Sequence, residues 1–175
     1  MKRIAVLFIG IMCLITGCAA ESRPVAEAHV QVMPREMPAD FNFKVRYGYG
    51  EANKNEINTY NDQVHKDLVQ NGTGVAAIRL TTEEMRRIYT KMYEMNVMEM
   101  RDVGSITSNC TQIPYMTESW NITVDGKTKT WLWSDESCEI TSDAKQLLDL
   151  REYIHEIVEA KDAYKALPEA VGGYD

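Results

Sequence analysis

Three groupings in this chain have residue types and spacings capable of chemistry. His65 and Asp67 lie two positions apart, so on a strand both point from one face. A carboxylate there can orient an imidazole as a general base. No nucleophile is marked nearby, since the chain has no G-x-S-x-G elbow. A solvated polar face is the plainer reading of the pair. Glu152 and His155 are three apart, which puts both on one face of a helix. That is the spacing of di-iron bundles, but those need a second such pair and further glutamates. Here the pair reads as the acidic outer face of an amphipathic helix. Met85, Met92, Met95, Met98 and Met100 fall within sixteen residues. Thioethers are soft and suit Cu(I). Met85, Met92 and Met95, however, share a helical stripe with Ile88 and Tyr89, where methionine serves as adaptable core filler. Met98 and Met100 fall at the end of that helix, where exposure is open to them. The third histidine, His29, lies in a proline-interrupted stretch that cannot hold it rigidly. No Walker loop, dinucleotide fingerprint, EF-hand loop or zinc spacing is present. Asn71-Gly72-Thr73, Asn109-Cys110-Thr111 and Asn121-Ile122-Thr123 match the glycosylation acceptor pattern, and read as chance and turn chemistry. No catalytic residue, metal ligand or cofactor is assigned.

The first residues say more. Met1-Lys2-Arg3 is followed by an apolar run, Ile4 to Leu14, and then by Ile15-Thr16-Gly17-Cys18. A charged start, a short apolar core and small residues are the parts of a secretory signal. The apolar run falls short of the roughly 20 residues that span a bilayer. The small residues leading into cysteine resemble the lipobox of bacterial lipoproteins. That resemblance implies cleavage before Cys18, a diacylglyceryl group on its thiol, and acylation of the new amino terminus, for example with palmitate. It places residues 1–17 as signal peptide and the protein on the extracytoplasmic face of a bacterial cell membrane, lipid-anchored at Cys18.

Cleavage there would leave 158 of the 175 residues, enough for one domain with a tether. Losing Lys2 and Arg3 would take the net charge from −7 to −9. An acidic domain is repelled by an anionic membrane surface, so attachment falls to the acyl chains. The same charge argues against nucleic acid, which needs a basic patch. Cys13 would leave with the signal and Cys18 would carry lipid. In the exported context this leaves Cys110 and Cys138 as a disulfide pair, in preference to two free thiols or a metal site, for which no C-x-x-C spacing exists.

The elements that must position these residues follow from periodicity. Residues 19–40 carry Pro24, Pro34 and Pro38 among scattered charges and read, with Cys18, as a flexible tether. Residues 41–175 read as one globular domain. Phe41, Phe43, Val45 and Tyr47 alternate with polar residues, a half-buried strand. Residues 51–59 read as loop, and Tyr60 to Val69 as a second strand. Asn71-Gly72 is a hairpin signal, with Ala76, Ile78 and Leu80 on the return strand. Thr81 with Glu84 fits a capping box, and Leu80 with Met85 a hydrophobic staple, opening a helix expected to run to about Met98. Trp120, Ile122 and Val124 alternate before Asp125-Gly126, which turns the chain and sets Trp120 opposite Trp131. Ser142-Asp143 caps a last helix whose stripe is Leu147, Leu150, Ile154, Ile157, Val158 and Lys161, ending at Pro168. The order is strand, hairpin–helix, hairpin–helix. It predicts an α+β fold: an antiparallel sheet with two amphipathic helices packed on one face.

The mature part also resembles an uncharacterised family of cell-surface lipoproteins from Gram-positive bacteria. The carrying segments are Tyr47-Gly48-Tyr49-Gly50 with Lys54-Asn55-Glu56, Leu80-Thr81-Thr82-Glu83-Glu84, Ile88-Tyr89-Thr90-Lys91-Met92 and Leu167-Pro168-Glu169-Ala170-Val171-Gly172-Gly173-Tyr174. The resemblance implies an anchored surface setting and supplies no activity. The expected function is a non-catalytic binding or interaction lipoprotein, with another envelope protein or a surface ligand as partner. The alternatives are a metal- or small-solute-binding lipoprotein and an envelope hydrolase working through His65 and Asp67.

Overall fold

The alternation after Phe41 becomes β1, Asn42–Tyr49, the strand on which the sheet is built. In a computed structural model that describes residues 32–50, 53–104 and 106–174, β1 pairs antiparallel with β2 (Asn55–Asn58) on one side. On its other side it pairs antiparallel with β5 (Met116–Val124). β3 (Gln63–Asp67) and β4 (Thr73–Ala77) extend the sheet beyond β2, and β6 (Lys127–Ser134) extends it beyond β5. The sheet is six-stranded and antiparallel, in the order β4-β3-β2-β1-β5-β6. With its helices this is the α+β fold that the periodicities predict.

Several boundaries differ from the sequence reading, each for a physical reason. The stretch 51–59 contains β2 rather than being all loop; only Ile57 of its four residues is buried, so it has no alternation to see. The second strand accordingly starts at Gln63, after a turn through Asp62 with φ 55°. Residues 32–40, assigned above to the tether, belong to the packed unit. Met33 is only 4% exposed, the Pro34 carbonyl accepts the Tyr89 hydroxyl at 2.6 Å, and the Asp40 carboxylate accepts Asp125 N–H at 3.1 Å and Gly126 N–H at 2.6 Å. The signal, Cys18 and the tether up to residue 31 lie outside the described residues.

The Asp125-Gly126 turn forms as predicted. Both residues have positive φ, 49° and 73°, the primed turn that matches strand twist, and Trp120 lies opposite Trp131. The Asn71-Gly72 turn is wider, a five-residue loop closed by Leu68 N–H donating to Gly72 O at 2.9 Å. Gly72, at φ 79°, supplies the left-handed residue it needs.

α1 spans Thr82–Glu94. Its capping box is complete: Glu84 N–H donates to Thr81 Oγ1 at 3.2 Å and Thr81 N–H to Glu84 Oε2 at 2.8 Å. The helix stops short of Met98 because Asn96 turns left-handed at φ 49°, and a 3-10 turn, Val97–Glu99, follows. α2 spans Ser142–Glu159, with Thr141 as its cap, accepting Ala144 N–H at 3.1 Å. It ends before Pro168. Lys161 is extended and sends its ammonium to both carboxylate oxygens of Glu84 at 2.7 Å. A short α3, Asp162–Lys165, then buries Tyr164.

One core fills the space between sheet and helices. A row of buried side chains crosses five strand boundaries: Ala76, Val64, Ile57, Val45, Trp120 and Trp131. Against it pack Ile88 and Met92 of α1, and Leu147, Leu150, Ile154 and Val158 of α2. Each such side chain contributes about 1.5–3 kcal/mol by leaving water. Both helices cover the same face, and among the described residues no element lies over the other face of the sheet.

Candidate functional site

Alternation dictates the uncovered face. Residues whose neighbours point into the core point out, and register aligns them in rows. One row is Gln63, Asn58, Lys44, Asn121 and Thr130, directly paired across β3, β2, β1, β5 and β6. The next is Val75, His65, Glu56, Arg46, Ser119 and Leu132, running from β4 to β6. Every residue in these rows is half-buried or exposed. Arg46 and Glu56 approach to 3.6 Å. Tyr60, in the turn between β2 and β3, reaches past β1 to put its hydroxyl 2.7 Å from Thr123 Oγ1 on β5. Thr123 Oγ1 in turn meets Thr128 Oγ1 at 2.7 Å. The Tyr60 ring stays 47% exposed on this face.

On the covered face the structure assembles an ionisable cluster that the sequence reading missed. Glu118 on β5 has no exposed surface. Its Oε1 accepts Trp120 Nε1–H at 2.6 Å and its Oε2 accepts Arg151 Nε–H at 3.1 Å. The Arg151 guanidinium lies 4.8 Å from the centroid of the Tyr47 ring, within cation–π range. The Tyr47 hydroxyl is 2.8 Å from His155 Nδ1, and His155 Nε2 is 2.9 Å from Glu159 Oε1. A neutral imidazole satisfies both contacts with one proton on Nε2, donated to Glu159, while Nδ1 accepts the tyrosine O–H.

The electrostatics are set by burial. Loss of water pushes the Glu118 carboxyl up to about 7, against the opposing pull of Arg151 and the hydrogen bond from Trp120. Burial also raises the Tyr47 phenol and lowers the His155 imidazole, the latter opposed by Glu159. Trp133 contributes from close by to holding the Glu118 charge, yet among the described residues its Nε1–H finds no partner of hydrogen-bond geometry. An enclosed carboxylate with its oxygens occupied has no reactant to reach. The cluster ties α2 to β1 and β5 through the contacts its members make with one another.

The singled-out residues separate. His155 pairs with Tyr47 and Glu159, whereas Glu152 lies on the exposed side of α2, with its carboxylate 4.0 Å from Arg151 Nη1. His65 and Asp67 share no hydrogen bond among the described residues. Asp67 Oδ1 accepts Val69 N–H at 2.8 Å and lies 3.7 Å from Lys54 Nζ, and its Oδ2 accepts the Tyr174 hydroxyl. The carboxylate that would orient His65 is thus engaged by Val69, Lys54 and Tyr174. All five methionines pack on the core: Met92 and Met100 are buried, and Met85, Met95 and Met98 are partly so. The end of α1 therefore offers no thioether cluster to solvent. Among the described residues no group of three or more His, Cys, Asp or Glu is placed to hold a metal ion. Grooves of about 270 Å³, beside Val32, Met98 and Lys129, and about 350 Å³, beside Arg35, Arg86 and Tyr89, touch neither His65, Asp67, His155 nor Glu118.

Cys110 and Cys138 are bridged, with Cα atoms 5.8 Å apart, inside the range a disulfide accepts. The bridge ties the irregular segment before β5 to the loop after β6. Ser108 Oγ–H donating to Ser137 O at 2.6 Å supports the same closure. Among the described residues no helix is long and apolar enough to cross a membrane.

Glu118 and Arg151 carried a signal that was available. Glu118 sits at an inward position of its strand, two before Trp120, and Arg151 adjoins the apolar stripe of α2 at Leu147, Leu150 and Ile154. Opposite charges at inward positions of two facing elements announce a buried pair. No protein-family model, curated protein or solved structure matches the chain.

Proposed function

We propose that this protein is a lipid-anchored, extracytoplasmic binding protein, without catalytic activity, that presents the open face of its sheet to a partner at the cell surface. The single observation that carries the reading is the division of labour between the two faces of the sheet. The buried cluster of Glu118, Tyr47, Arg151 and His155 is consumed in packing α2, and among the described residues the outward rows of amides, hydroxyls and charges, His65 with them, have no covering element. Exposed large apolar residues are dispersed: Tyr60, Val75, Ile113 and Leu132 stand in different elements or loops. The surface for a partner is thus polar rather than a methionine-rich or apolar patch of the kind that marks many interfaces. The anchor is Cys18, on the strength of the lipobox-like Ile15-Thr16-Gly17-Cys18, and the disulfide suits an oxidising compartment. Site-specific photocrosslinking in membranes tests the surface. A crosslinker replacing Asn121 should capture a specific partner, and one replacing Glu156 on α2 should not. Equal labelling from both positions would overturn the assignment of the face.

A further inference from the structure

The outer face has a repeat, and the repeat selects an occupant. We infer that it binds a neutral, hydroxyl-rich β-linked polysaccharide chain lying across the strands over Gln63, Asn58, Lys44, Asn121 and Thr130. The inference rests on the binding-surface reading above and names the ligand class for that surface. Register places these side chains one per strand, so they recur at the strand spacing of about 4.8 Å, a spacing on the scale of a single sugar ring in an extended chain. An extended peptide instead presents like-facing side chains about 6.8 Å apart, out of step with the row. Charge complementarity points the same way. Lys44 is the only ionised group in the row, and in the adjoining row Arg46 faces Glu56 at 3.6 Å. A nearly neutral face does not favour nucleic acid, whose binding depends on clustered cations. Amides and hydroxyls supply both donors and acceptors, as sugar hydroxyls require. Among the described residues, Asn121, Lys44 and Thr130 make no side-chain hydrogen bond within the protein and are available to a ligand. Beside the row the half-exposed ring of Tyr60, pinned by its 2.7 Å contact to Thr123, provides an apolar platform for one sugar face. Aromatic rings with few rotatable bonds lose little freedom on binding.

The test uses the full-length protein in detergent micelles, with cellohexaose and chitohexaose as probes, followed by NMR and calorimetry. Saturable binding of at least one hexasaccharide is expected, weakened at least tenfold by Tyr60→Ala and by Asn121→Ala. Tyr60→Phe keeps the ring and should stay within about threefold of wild type, which separates stacking from a general loss of fold. Glu156→Gln, on the helical side, should bind as wild type does. Absence of saturable binding of both probes at millimolar concentration overturns the proposal, as does binding that Tyr60→Ala leaves unchanged. The crosslinking experiment distinguishes the two levels. If a protein is captured at Asn121 and neither sugar binds, the polysaccharide is wrong and the face stands; if neither is seen, both fall.

Discussion

Glu118→Gln keeps the shape of the side chain and removes its charge, and it should erase a pH dependence that the wild-type protein carries. Glu118 has no exposed surface. Burial, the largest influence on it, raises its carboxyl from 4.5 to about 7 despite Arg151. A carboxyl that holds its proton more tightly when folded contributes stability that is fully present below its unfolded value and is lost as pH rises through the folded one. For this shift, linkage gives a loss on the order of 2–3 kcal/mol between about pH 5 and about pH 8.5, most of it before about pH 7. His155 works in the opposite sense. Burial lowers it, so its contribution is present above 6.5 and is lost as pH falls through its depressed value. His155 is common to both proteins, so the difference between them isolates Glu118. The assay is urea unfolding followed by tryptophan fluorescence at several pH values. Wild type minus Glu118→Gln should fall by an amount on the order of 2–3 kcal/mol from about pH 5 to about pH 8.5. Parallel curves would mean that Arg151 holds the carboxylate ionised throughout, and the argument that burial dominates would be refuted.

Other outcomes are as specific. Cys110→Ser should cost roughly 2–4 kcal/mol, since the bridge closes a loop of 28 residues; urea unfolding measures it. Alkylation of the denatured, processed wild-type protein should find neither Cys110 nor Cys138 free. Cys18→Ser should remove the fatty acids, so that copies released by another peptidase partition as soluble protein while unprocessed copies stay attached through the signal; fractionation and mass spectrometry of the mature terminus decide this, and a wild-type terminus unmodified at a residue other than Cys18 would refute the anchor. Thr81→Ala removes the cap of α1 and should cost about 1 kcal/mol, seen as a lowered Tm; an unchanged melt would show that the Glu84–Lys161 contacts hold the helix end alone.

What the sequence made legible was whatever repeats. β1, β5 and β6 announce themselves because each alternates over several residues, and α1 because its capping box, Thr81 with Glu84, is local. β2 was invisible because a strand of four residues with one buried side chain, Ile57, has no period. Met33 reads as tether because a lone apolar residue between prolines gives no hint that a core 50 residues on will accept it. The pairing of β1 with β5 is non-local: 79 residues separate Phe43 from its partner Ile122, and no turn signal joins them. The same limit hid the cluster. Glu118, Tyr47 and Arg151 come from three distant segments, and only the sheet register with α2 laid over it brings them together.

That cluster also bears on the open face, because both are built on the same strands. β5 turns Glu118 and Trp120 inward and Ser119 and Asn121 outward; β1 turns Tyr47 inward and Lys44 and Arg46 outward. Leaving a buried hydrogen-bonding group unsatisfied costs about 1–3 kcal/mol, so the Glu118–Arg151 hydrogen bond resists any slip of α2 over β5. A one-residue slip between strands would send inward residues out, and the tryptophans flanking Glu118 make such a slip costly. The outer rows are therefore held in fixed register from behind. A ligand that meets a fixed row does not have to order it, and the affinity otherwise lost to ordering is retained. The inward ionic cluster thus serves binding by making the outward surface rigid, without any of its groups touching what is bound.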